Sequence, residues 1–154
     1  MTDAAQPARG WLDSHCHLGH GDLSPEARED RAAELVTEAR HDGVSQLVDV
    51  GIDAATSRLA AARAEFLPGV WFSAGIHPCS ADRLDRDWDQ IEALARRSDC
   101  AALGETGFDF HWQPEARTAQ QRSFERHLDL ATTLGRAVIV HCRDAFDATF
   151  EVLA

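Results

Sequence analysis

Residues 11–18 of the chain read Trp-Leu-Asp-Ser-His-Cys-His-Leu, and they predict the first β-strand. Side chains alternate across a strand, so His15 and His17 share one face with Trp11 and Asp13. Two imidazoles on one face can bind a single metal ion. Because a two-residue histidine repeat also arises by chance, a metal site is predicted only if other parts of the chain supply further ligands.

Strand and helix patterns alternate along the rest of the sequence, with a new strand about every thirty residues. Short apolar runs predict further strands at 44–51, 70–77, 100–105 and 137–142. Helices are predicted after the caps Ser24, Asp53 and Asp144, and over 82–97 and 114–134. The spacing in the second helix predicts a buried face of Ala55, Leu59, Ala62 and Phe66. This alternation indicates right-handed parallel β/α units.

An open doubly wound sheet and a β/α barrel both fit such an alternation. The chain has neither a G-x-G-x-x-G nor a G-x-x-x-x-G-K-[ST] loop, which disfavours the doubly wound nucleotide binders. We therefore predict an α/β protein of the (β/α)8 TIM-barrel type. Such barrels typically need about 250 residues, so the 154 residues account for about five of the eight units.

Composition places the chain among ordinary globular proteins, with 44% hydrophobic and 27% charged residues. Its formal charge of −11 argues against a broad basic surface for nucleic acid, although bound divalent ions could still receive phosphate. The four cysteines form no C-x-x-C pair and are expected to be reduced. We expect a cytoplasmic protein with no membrane association and no obligate protein partner. Residues 1–10 are predicted to be a disordered lead-in to a domain over 11–154, with a Gly-rich link at 19–23.

Polar residues stand at the carboxyl ends of four predicted strands, where β/α barrels carry their chemistry. They are His15 and His17, His77, Glu105, and His141. Alternation points His141 and Glu105 to the same side as the first two histidines. Three imidazoles and a carboxylate at the mouth of a barrel predict a site for one or two divalent cations, with the carboxylate able to bridge.

Other residues near this site are assigned supporting roles. Asp13 is expected to hydrogen-bond a ligand histidine and fix its tautomer. Arg143 is expected to contact a substrate phosphate, with an ion pair to Asp144 or Asp147 as an equal alternative. His77 is expected at the substrate edge of the pocket or, equally, stabilising the turn before Pro78. Two aromatic residues after the fourth strand, Phe110 and Trp112, either stack on a base or close the pocket.

Five segments together resemble the TatD family of metal-dependent deoxyribonucleases and related phosphodiester hydrolases. The segments are Asp13-Ser14-His15-Cys16-His17-Leu18, Ala74-Gly75-Ile76-His77-Pro78, Ala102-Leu103-Gly104-Glu105-Thr106-Gly107-Phe108-Asp109, Gln121-Arg122-Ser123-Phe124-Glu125-Arg126-His127-Leu128 and Val138-Ile139-Val140-His141-Cys142-Arg143-Asp144. The resemblance implies a β/α barrel in which His15 and His17 bind one metal, Glu105 bridges two, and His141 binds the second. It implies two divalent cations (Mg, Mn or Zn), an activated water, and single-stranded or damaged DNA as substrate. Glu105 and His141 would be the catalytic residues.

The chain departs from the family pattern, which continues with another metal-binding histidine and a metal-binding aspartate beyond Ala154. One alternative is therefore an inactive truncated remnant, and we expect weak or absent activity from the 154 residues alone. Another is a zinc amidohydrolase or phosphotriesterase-type enzyme, which also opens with H-x-H. Many of those proteins bridge their metals with a carboxylated lysine, whereas this chain has no lysine and places Glu105 there.

Overall fold

The computed structural model describes residues 10–19 and 24–154, and it contains one parallel sheet of five strands in the order β1-β2-β3-β4-β5. The strands are β1 (Trp11–Cys16), β2 (Val44–Val50), β3 (Val70–Ala74), β4 (Cys100–Asp109) and β5 (Ala137–Arg143). The helices are α1 (Pro25–His41), α2 (Ala54–Phe66), α3 (Leu84–Ala95), α4 (Arg117–Leu134) and α5 (Phe146–Leu153). Short 3-10 turns, Pro78–Arg83 and Pro114–Ala116, precede α3 and α4.

Every pair of neighbouring strands is parallel and joined through a helix, so the predicted β/α fold is confirmed as a five-strand half-barrel. A core between strands and helices contains Phe72, Ile76, Trp88, Ile91 and Leu103. The predicted lead-in at 1–10 lies outside the described residues except for Gly10. The predicted link at 19–23 does so except for Gly19.

Strand ends differ from the predictions at the edge that carries the chemistry. β1 ends at Cys16 and β3 at Ala74, so His17 and His77 lie just beyond their strands. β4 instead continues past Glu105 to Asp109. It does so because residues 106–109 pair with residues 140–143 of β5.

The predicted buried face of α2 is wrong. Leu59 is 40% exposed and Phe66 is 78% exposed, whereas Ala54, Ser57 and Ala61 are buried. Asp53 and Thr56 form a capping box that begins the helix, and small side chains then face the sheet. Small residues on this face allow the helix to approach β3 closely.

The predicted cap of α5 is also wrong. The N-cap residue is Ala145, which makes no side-chain cap hydrogen bond. Asp144 has a φ of 54°, and its carboxylate lies 3.1 Å from Nδ1 of His111. The side chain is therefore engaged with the loop after β4 and not with the helix.

Candidate metal centre

The two histidines of the first strand converge as the sequence predicted. Nε2 of His15 lies 3.3 Å from Nε2 of His17. Nδ1 of His17 is 3.1 Å from the carbonyl oxygen of Val50, which only accepts a hydrogen bond, so Nδ1 carries the proton. In the neutral ring Nε2 is then the nitrogen with a lone pair, and it points at the partner histidine.

Glu105 lies between this histidine pair and His141. Its Oε2 is 3.6 Å from Nε2 of His15 and 3.8 Å from Nε2 of His17. Its Oε1 is 2.9 Å from Nδ1 of His141. The residue is only 8% exposed, so the carboxylate reaches both sides from a buried position.

A second cluster contains His77, Asp109 and His141. Nε2 of His141 lies 3.0 Å from Oδ2 of Asp109 and its Nδ1 lies 2.9 Å from Oε1 of Glu105, so an acceptor-only carboxylate faces each ring nitrogen. Nδ1 of His77 accepts the backbone N–H of Cys79, so its Nε2 carries a proton and faces Nδ1 of His141 at 3.1 Å. The backbone contact thus fixes the tautomer of His77.

Burial and the nearby His141 lower the pKa of His77, which favours its neutral form. Burial alone would raise the pKa of Asp109. Hydrogen bonds from the Trp112 N–H and from His141 outweigh that effect, so its pKa lies below the usual value. The carboxylate is therefore ionised at neutral pH, as its contact with His141 requires.

The donor set fits a cation. Nδ1 of His141 lies 2.9 Å from Oε1 of Glu105, and a cation at this point, either a proton on the ring or a metal ion, is attracted by both atoms. Imidazole nitrogen and carboxylate oxygen are ligands that Zn²⁺ and Mn²⁺ accept, and an imidazole held by a carboxylate is common in metal sites.

Cys16 stands between the two histidines in sequence but is not a suitable ligand here. Its thiol donates to the carbonyl of Val48 at 3.3 Å. Burial, together with Asp49 and Asp13, raises the pKa of Cys16 to about 12. A thiol that stays protonated at neutral pH is a poor metal donor.

The supporting residues have different outcomes, and His77 caps the turn at Pro78 by accepting the Cys79 N–H, one of its two predicted roles. Oδ1 of Asp13 accepts the backbone N–H of His15 at 3.0 Å, and among the described residues no contact of Asp13 with an imidazole ring is found. The guanidinium of Arg143 lies 5.3 Å from the ring centre of Trp112. Among the contacts of the described residues, Arg143 forms no ion pair with Asp144 or Asp147. Phe110 packs on Phe108 at 5.4 Å and is partly buried, so it closes the loop onto the core.

Two acidic residues near the site were missed by the sequence analysis. Asp109 was missed because the fourth strand was predicted to end at Glu105, although the same alternation carried four residues further would have placed it on the inner face. Asp49 was hidden inside an apolar strand. Its carboxylate accepts the N–H of Leu18 and pairs with Arg63, a residue only 6% exposed, at 2.8 Å. That buried pair fixes the backbone directly after His17.

Glycines let β4 approach its neighbours beside the site. Gly107 has a φ of 135°, and a Cβ there would lie 2.1 Å from the carbonyl oxygen of His141. A Cβ on Gly75 would lie 2.3 Å from the backbone of Gly104. Only glycine allows strands to come this close, so these positions set the distance from Glu105 to its partners.

The five parallel strands and their helices form a β/α half-barrel. At the carboxyl edge of its sheet, histidines and carboxylates cluster in two groups that could hold metal ions. The model of the family described as TatD related DNase matches residues 12–154. The 3'-5' ssDNA/RNA exonuclease TatD of Cronobacter sakazakii is 35% identical over 113 residues, which cover 73% of this chain and 43% of that protein. The uncharacterized metal-dependent hydrolase YcfH of Escherichia coli K12 is 34% identical, covering 92% of this chain and 52% of that protein. The chain belongs to the TatD related DNase family.

Solved structures agree with this assignment. The TatD homologue YJJV from Escherichia coli K12 superposes with a TM-score of 0.77 at 28% identity, over 93% of this chain and 54% of that one. A TatD family hydrolase from Entamoeba histolytica also gives 0.77, at 16% identity, and so shows the fold alone. The chain spans about half the length of the curated relatives it matches. Among the described residues, no helix is long and apolar enough to cross a membrane.

Proposed function

We propose that the chain carries the metal-binding part of a hydrolase that cleaves phosphodiester bonds of DNA. The observation that supports this most directly is the position of Glu105. One of its oxygens faces His15 and His17, and the other lies 2.9 Å from His141. A carboxylate between two groups of imidazoles suits a pair of divalent cations.

In this proposal His15 and His17 would hold one cation and His141 a second, and Glu105, whose carboxylate faces both groups, would bridge them. Mg, Mn or Zn would supply positive charge for the phosphate oxygens and an activated water. Asp109 holds His141 through Nε2 and so directs Nδ1 toward Glu105. Nε2 of His77 carries a proton and faces Nδ1 of His141. In this proposal it donates that proton in a hydrogen bond to an oxygen of the substrate. Arg143 contacts a phosphate from the rim of the site.

The substrate is proposed to be single-stranded or damaged DNA. Relatives named as 3'-5' ssDNA/RNA exonucleases support a single-stranded nucleic acid. Bound cations would explain how a chain with a formal charge of −11 accepts an acidic polymer. All four cysteines are free thiols, which supports our placement of the protein in the reducing cytoplasm.

Activity assays test the proposal. The 154-residue chain is incubated with a single-stranded oligonucleotide, a duplex and a panel of cyclic amides, each with Mg²⁺, Mn²⁺ or Zn²⁺. We expect weak or absent metal-dependent cleavage of the single strand by the isolated chain. Any such cleavage should be lost in Glu105→Ala and retained in Glu115→Ala, a change at an exposed carboxylate in the turn before α4. Cleavage of amides alone would favour the amidohydrolase alternative.

A further inference from the structure

The loop after β4 carries an exposed tryptophan beside the candidate metal centre. Trp112 is 63% exposed, and its ring contacts Arg143 and His111. The guanidinium of Arg143 lies 5.3 Å from the centre of the indole, and the ring of His111 lies 4.7 Å away at a near-perpendicular angle. The indole therefore offers aromatic surface to the solvent next to a fixed cation.

The backbone that carries this tryptophan is held by the metal centre itself. Oδ1 of Asp109 accepts the N–H of His111 at 3.0 Å and the N–H of Trp112 at 2.7 Å. The other oxygen of Asp109 holds His141. A single buried carboxylate thus fixes both a candidate metal ligand and the loop that presents the indole.

Arg143 lies between the candidate metal ligand His141 and the indole of Trp112. It stands two residues beyond His141 on β5, which places its backbone about 7 Å further along the strand. Asp144, the nearest acidic residue in sequence, is engaged by His111 at 3.1 Å. The positive charge of Arg143 is therefore directed at the indole and at whatever binds there.

We propose that Trp112 and Arg143 form a nucleotide subsite, in which the indole stacks on an unpaired base and the guanidinium contacts an adjacent phosphate. This rests on the proposed phosphodiester hydrolysis, since it describes the nucleotide next to the scissile bond. Base–aromatic stacking is tolerant of sequence and requires a base that is free of its partner strand. The subsite therefore selects single strands or flipped bases over an intact duplex.

Oligonucleotide binding to the 154-residue chain tests this subsite separately from catalysis. Fluorescein-labelled dT10 and an abasic strand of the same length are titrated by anisotropy, with EDTA and with Mn²⁺. We expect Trp112→Ala to weaken dT10 binding about tenfold or more and Trp112→Phe to weaken it less. Binding of the abasic strand should stay the same in both variants. Trp11→Ala is the matched control because Trp11 is 77% exposed at the opposite end of its strand.

Two results would overturn the subsite. One is a wild-type chain that binds dT10 no better than the abasic strand. The other is a Trp112→Ala variant that binds dT10 as the wild type does, or loses both strands equally. Failure of the hydrolase proposal gives a different result, because base-dependent binding would then persist without metal-dependent cleavage.

Discussion

Asp109 connects the most parts of the candidate site. It accepts hydrogen bonds from His141 and from the N–H groups of His111 and Trp112. Because an imidazole is a better ligand when a carboxylate holds its other nitrogen, Asp109→Asn should weaken Mn²⁺ or Zn²⁺ binding about 10- to 100-fold. Isothermal titration calorimetry measures this. Asp89→Asn, at an exposed position on α3, should bind like the wild type. Equal affinity in the two variants would remove Asp109 from the site.

His127 contributes to the dependence of stability on pH. It is fully buried, its Nδ1 donates to the Ser123 carbonyl at 2.7 Å, and its Nε2 accepts the N–H of Ile76 at 3.2 Å. Burial lowers the pKa of His127 to about 4. Between about pH 6.5 and 4 the unfolded chain binds a proton here that the folded chain does not, so stability falls as the pH is lowered through that window.

The variant His127→Gln should flatten this dependence. Its amide oxygen can still accept the Ile76 N–H, but it has no proton to gain. We expect the slope of unfolding free energy against pH to decrease by up to about 1.4 kcal/mol per pH unit between pH 6.5 and 4. Urea unfolding at several pH values measures the slope, and His41→Gln, on an exposed residue, is the control. An unchanged slope in His127→Gln would show that this ring does titrate in the folded chain.

The sequence predicted the candidate metal ligands but not the residues that position them. His15, His17, Glu105 and His141 were brought together by strand alternation alone, and the structure places them within hydrogen-bond or near-contact distance. Asp109 was missed because the fourth strand was predicted to end before it, and Asp49 was missed because its partners come from distant segments of the chain. Such contacts have no spacing signature in the chain.

At the scale of elements, the close approach of β4 and β5 depends on glycine. Gly107 and Gly135 both have positive φ, but a Cβ on Gly107 would strike the carbonyl of His141 whereas Gly135 has open space. Gly135→Ala should therefore cost only about 1–2 kcal/mol for its left-handed backbone. Gly107→Ala should cost clearly more, because β5 must also move away.

The measurement for this pair is unfolding free energy together with metal affinity. Gly135→Ala should leave Zn²⁺ binding unchanged, since Gly135 ends α4 just before the amino end of β5, whereas His141 lies near the carboxyl end of that strand. Gly107→Ala should lower the affinity for Zn²⁺, because the added Cβ displaces His141. Equal losses of unfolding free energy in the two variants, with equal Zn²⁺ affinity, would mean that the close contact of β4 with β5 does not position the metal ligands.

Element order was predictable, whereas element ends and one helix face were not. The alternation of apolar runs and helical patterns gave all five strands in their correct sequence positions. The face of α2 was mistaken because its largest apolar residues, Leu59 and Phe66, are exposed while alanines and Ser57 pack on the sheet. Residue size favours burial only where the space between helix and sheet is wide enough.

For the whole molecule, β1 and β5 each pair on one side only in the described sheet. Trp11 and Leu12 on one edge strand and Val140 on the other are exposed. Unpaired strand edges associate, so the 154-residue chain should show a mass that rises with concentration in light scattering. Val140→Lys should reduce this rise because a charged edge opposes strand addition. A monomer mass that does not change with concentration in the wild type would contradict association through the strand edges.

We propose that Glu105 holds divalent cations between two groups of histidines. The most direct test of this proposal is the metal content and affinity of the purified chain, measured by equilibrium dialysis against Mn²⁺ or Zn²⁺ for the wild type and Glu105→Gln. The neutral amide keeps the shape of the side chain and removes its charge. We predict bound cation in the wild type and a loss of affinity on the order of tenfold or more in Glu105→Gln. Equal binding in both chains, or none in the wild type, would contradict the account.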